Sequence, residues 1–187
     1  MDYIEQVEKV FNYLKFNLEF DELEKLLNFK KNFNNDLNLI GCFLKDYLIL
    51  HSIRKNFSNE ELYNTFVLYF EENINNKKQI LNNIVKFSNY YIMLVFEKCN
   101  DIEILTSIST INACYCLECY PLVMKIFDKY FEKRIERCVL IKKLHNISNL
   151  VLEKFENPNS NIDFYNLSED NNKAVYPIDK IHERAVV

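Results

Sequence analysis

The chain has almost no glycine: Gly41 is the only one among 187 residues, and prolines number three (Pro121, Pro158, Pro177). Phosphate-gripping loops, nucleophile elbows and tight β-hairpins need glycine where φ turns positive or the backbone must approach a ligand closely. Their absence excludes most nucleotide-binding and hydrolase folds and predicts long helices joined by short polar turns. Tryptophan is missing altogether, and alanine occurs only at Ala113, Ala174 and Ala185. Asparagine and lysine are abundant instead, a compositional bias that carries no functional weight.

No stretch of about 18 uninterrupted apolar residues occurs, so no membrane span is expected. The first ten residues, acidic and without a basic-then-apolar run, predict no secretory leader and a cytoplasmic protein. Six cysteines (Cys42, Cys99, Cys114, Cys116, Cys119, Cys138) then read as reduced thiols. Apolar residues make up 49% of the chain at a net charge of −4, too apolar for a disordered polymer and enough for one packed domain.

What is present is helical periodicity. Ile4, Val7, Phe11, Leu14 and Leu18 recur at spacings of three and four, one stripe of an amphipathic helix. A second, short helix fits residues 21–33. Asn35 or Asp36 suits the cap of the next segment, which is apolar on nearly every side from Leu37 onward and predicts a central, buried helix. Ser58 and Glu61 form the Ser-x-x-Glu capping box, and Asn100-Asp101-Ile102-Glu103, again with an Asx and an acid three residues apart, restarts the pattern before a sixth helix. Pro121 suits the first turn of a final helix running to about Glu156, unbroken or interrupted near Asn146. Helix pairs begin near residues 20, 58 and 101, and this interval of about forty residues lies near the period of two-helix solenoids. The expected fold is all-α: an irregular multi-helix bundle or a short solenoid-like array over residues 1–156, followed by an extended C-terminal tail over 157–187.

Chemistry-bearing constellations are few. Cys114, Cys116 and Cys119 resemble a metal-ligand run, but in a helix Cys114 would lie about 200° from Cys116, so core thiols are the reading and no metal is expected. His51, His145 and His182 show no metal or catalytic spacing, so neither a cofactor nor an enzyme is expected. Residues 125–154 hold eight basic side chains against four acidic ones. Lys125, Lys129, Lys133 and Arg137 would share one face, with Lys125–Asp128, Lys129–Glu132 and Lys133–Glu136 as i,i+3 pairs. Arg134, Arg137, Lys142 and Lys143 lack such partners in sequence and are the candidate contacts to a phosphate backbone. The tail carries Phe164, Tyr165, Tyr176, Ile178 and Ile181 outside any helical stripe, as candidate anchors on a partner.

These features predict a non-enzymatic interaction protein that docks into a large cytosolic protein or ribonucleoprotein assembly. Its sharpest form is a ribosome-associated dormancy (hibernation) factor anchored by the tail, with rRNA contact through the basic patch. The isoelectric point near 5.5 counts against an rRNA surface. The alternative is a helical adaptor or an inhibitor or immunity protein in a protein-only complex.

Overall fold

The computed structural model describes residues 3–54, 56–160, 162 and 164. Tyr165, Tyr176, Ile178 and Ile181 lie outside them. The described residues form eight α-helices and no strand: α1 (Tyr3–Asn17), α2 (Phe20–Asn32), α3 (Leu37–His51), α4 (Leu62–Glu72), α5 (Lys77–Val95), α6 (Ile102–Ala113), α7 (Tyr120–Phe131) and α8 (Arg137–Glu156). Among the described residues, no helix is long and apolar enough to cross a membrane.

The helix starts follow from local chemistry. Asp36 accepts from the backbone N–H groups of Asn38 and Leu39, and Asp101 does the same for Glu103 and Ile104. Ser58 and Glu61 form the reciprocal box, opening a short 3-10 turn that feeds α4. The helix ends are unusual, because this chain has no glycine for them. Asn34, Glu97 and Lys133 adopt left-handed φ of 54°, 52° and 58°. Behind each, the next N–H closes a six-residue ring: Asn35 to the Lys30 carbonyl (3.0 Å), Lys98 to Met93 (3.1 Å) and Arg134 to Lys129 (2.8 Å). These are Schellman caps built from residues other than glycine.

The bundle assembles around α3, which packs against α1, α4, α5 and α7. Its core side chains Ile40, Phe43, Leu44, Tyr47 and Leu48 are buried on several sides at once, as an all-round apolar helix requires. Phe33, Phe43 and Tyr91 knit α2, α3 and α5 together through ring pairs with centroids 5.5–6.1 Å apart. Contacts of α2 with α5 and of α3 with α7 run across the sequence order, so this is a bundle and not a one-dimensional solenoid.

Three sequence expectations are corrected. The final helix is two helices, broken at Lys133 and not near Asn146. Helix α6 ends at Ala113, which leaves Cys114, Cys116 and Cys119 outside it. The core also crosses residue 156: Phe164 is 2% exposed, with the Lys154 ammonium 5.5 Å from its ring centroid, and the partly buried Ile162 packs against the same core. Phe164 is therefore a strap on the body and is not available to a partner.

Candidate docking surface at the α7–α8 corner

Three elements converge where α7 gives way to α8. The chain reverses through Lys133 and reaches α8 through Glu136 in extended conformation. Between the two helices lies an open groove of about 750 Å³, lined by Tyr130, Phe131, Arg134, Ile135, Arg137 and Val139 among others. Phe131 is 48% exposed and stacks on Tyr90 of α5, with centroids 5.4 Å apart and planes 8° from parallel. The buried Tyr90 thus fixes an exposed aromatic at the rim.

Both arginines of the sequence-predicted patch line this groove, and both are engaged, contrary to expectation. Arg134 pairs with Asp128 and, at 2.9 Å, with Glu132. The same two carboxylates hold Lys86 of α5 at 2.7 Å each. Burial disfavours the Lys86 ammonium, but its hydrogen bonds to Asp128 and Glu132 outweigh that and raise its pKa. The hydrogen bond from Lys86 in turn lowers the pKa of Glu132. Two cations therefore face two anions.

Arg137 reaches back to α6. Its Nε donates to Asp101 Oδ2 at 2.7 Å, and its Nη2 donates to Asp101 Oδ1 at 2.9 Å and to Glu103 Oε2 at 2.6 Å. The hydrogen bonds from Arg137 hold the Asp101 carboxyl below the ordinary aspartate range. The expected stripe of Lys125, Lys129, Lys133 and Arg137 does not exist as one face, because the helix stops before Lys133. Lys142 is exposed and makes no ion pair among the described residues, and Lys143 is half-buried. Linear spacing gave no signal for Lys86, Asp101 and Glu103 as partners, since they lie 34–46 residues from the side chains they hold.

The cysteine run sits at the other end of α8. Cys114 caps α6, Tyr115 is left-handed (φ 53°), and Cys116 leads into a 3-10 turn, Leu117–Cys119. The helical-face reasoning fails there because the segment is not α-helical. Among the described residues, no group of three or more His, Cys, Asp or Glu side chains is arranged to hold a metal. Cys119 is fully buried, Cys114 and Cys116 are half-buried, and Cys138 is exposed. Compared with known proteins, the chain matches no family model, no curated protein and no solved structure.

Proposed function

We propose that this chain is a non-catalytic docking protein of a large assembly, and that the α7–α8 corner receives an apolar side chain from a protein partner. The observation that carries this reading is the pairing of an apolar groove (Phe131, Ile135, Val139) with two arginines whose charge is already balanced. Aromatic and arginine side chains dominate the energy of protein interfaces. Guanidinium groups held in place by carboxylates lose less rotamer entropy on binding. A phosphate backbone draws its affinity from cations that displace its counterions. At this corner it would first have to displace Asp101, Glu103, Asp128 and Glu132 from the arginines. A protein surface is therefore the better partner, including a protein surface within a ribosome if the chain is a dormancy factor. By sequence, Tyr176, Ile178 and Ile181 supply further anchors for the same assembly.

The test is affinity purification of the tagged full chain from its native cells, with and without RNase, comparing wild type with Phe131→Asp. The expected result is a partner that survives RNase and is lost from the variant, whose circular dichroism stays helical. A central interface aromatic is worth about 2 kcal/mol, roughly thirtyfold in affinity. Loss of the partner on RNase treatment would give the ribonucleoprotein reading instead. Full retention by Phe131→Asp would remove the corner as the docking surface.

A further inference from the structure

At the end of α8 remote from the corner, about 30 Å away at 1.5 Å per residue, two thiols of unequal character share one turn. Cys116 and Cys119 are three residues apart across the 3-10 turn. A turn of this kind brings its end Cα atoms within about 7 Å, and a disulfide needs roughly 4.4–6.8 Å. The Cys119 sulfur lies 3.1 Å from the Cys116 carbonyl oxygen and is sealed from solvent. Cys116 instead lines an open groove of about 560 Å³ between this turn and the end of α8. That volume is of the size that holds small molecules, roughly 300–1,000 Å³. Its walls are the exposed rings of Tyr115 and Phe155, and at its rim Lys154 pairs with Glu118.

We propose that Cys116 and Cys119 form a thiol–disulfide exchange site for a low-molecular-weight disulfide bearing carboxylate and ammonium groups, with Cys116 attacking and Cys119 resolving. Lys154 and Glu118 are paired with each other, and only a ligand carrying both a carboxylate and an ammonium can replace both partners at once and leave neither charge unpaired, while the two rings cover the aliphatic part of the molecule. In the first step the Cys116 thiolate attacks one sulfur of the small disulfide. That S–S bond breaks, and the leaving thiolate takes a proton from water. In the second step Cys119 attacks Cys116 Sγ, the mixed S–S bond breaks, and the proton of the Cys119 thiol passes to the departing sulfur, which leaves as the second small thiol. Two protein thiols are oxidised to one disulfide, and one small disulfide is reduced to two thiols.

The environment supports this division of labour. The neighbouring Cys119 thiol holds Cys116 below the ordinary thiol range, against burial and with help from the Lys154 ammonium. The neighbouring Cys116, together with burial, drives Cys119 far above that range. Attack by a stabilised thiolate and resolution by a protected neighbour is the asymmetry that Cys-x-x-Cys chemistry uses.

The experiment exposes the fully reduced full chain to oxidised glutathione and reads it by intact mass and peptide mapping. The expected product is a Cys116–Cys119 disulfide in the wild type. In Cys119→Ser the expected product is glutathione trapped on Cys116, and Cys138→Ser should leave both outcomes unchanged. Should Cys119→Ser fail to fold, iodoacetamide labelling of the native wild type decides. Half-buried Cys116 should then label several-fold faster at neutral pH than the exposed Cys138. Faster labelling of Cys138, or oxidation that leaves Cys116 and Cys119 unlinked, would overturn the proposal.

Discussion

Arg137 grips Asp101 with two parallel hydrogen bonds, of 2.7 and 2.9 Å, across 36 residues of sequence. Asp101 is at the same time the N-cap of α6, so one carboxylate starts one helix and ties it to the start of another. A side chain that reads in the sequence as a free cation is here a staple between α6 and α8.

The staple makes stability depend on acid. Asp101 has a depressed folded pKa, so its contribution is fully present above the unfolded value and is lost as pH falls through the folded one. In Arg137→Ala the Asp101 carboxyl should titrate closer to the ordinary aspartate range, and the acid limb of the stability curve should flatten. Carboxyl NMR titration checks this, and an unmoved Asp101 midpoint would contradict it.

Gly41→Ala should destabilise the bundle. A Cβ at this position would lie 2.8 Å from Cδ1 and 2.9 Å from Cγ of Tyr3, the root of the ring, which cannot swing aside cheaply. Overpacking of this kind costs about 1–3 kcal/mol. In a Tyr3→Gly background all three close atoms are gone, including the Tyr3 Cβ at 3.0 Å, and the alanine should gain up to about 1 kcal/mol from helix propensity. Urea denaturation of the four-protein cycle measures the change of sign.

Lys133→Gly should stabilise the chain by about 1 kcal/mol, because a left-handed non-glycine residue carries a strain of roughly 1–2 kcal/mol, partly offset by the entropy glycine adds to the unfolded chain. Glu97→Gly should gain less. The Glu97 carboxylate accepts from Ser109 at 2.6 Å and from Asn112 at 3.2 Å, and these bonds would be lost. Thermal melts of the two variants should rank in that order.

Asp46 on α3 lies near Cys42, Cys119, Tyr91 and Tyr120, and burial pushes its pKa well above the ordinary range despite the nearby Lys45. A raised carboxyl pKa means that stability falls as pH rises from the unfolded value through the folded one. Asp46→Asn should therefore be more stable than wild type at neutral pH, with the difference shrinking in mild acid. Paired urea titrations at the two pH values decide; an equal difference at both would point to packing and not charge.

Shortening the chain to end at Glu156 should weaken the body and not merely remove an arm. Burying a phenylalanine side chain fully is worth about 1.5–3 kcal/mol, and Phe164 is buried. Phe164→Ala should reproduce a large part of the loss in a denaturation curve.

The helix start at Ser58 was legible in the residues, and those at Asp36 and Asp101 to within one residue, because a cap is a bond between neighbours; apolar periodicity marked α1 and α3 for the same local reason. The all-α class followed from these and from the missing glycine. The stop at Lys133 was not legible, because the usual marker of a left-handed cap is glycine and a lysine holds that place. Without that stop, Pro121 to Glu156 reads as one helix and its cations as one stripe. Only the folded chain brings Asp101 and Glu103 to Arg137, Lys86 to Asp128 and Glu132, and Lys154 to the cysteine turn. A pair separated by dozens of residues leaves no mark in linear spacing, since its existence depends on how neighbouring helices cross. The residue pattern therefore determined which segments are helical and apolar, and tertiary packing decided which charges and thiols meet.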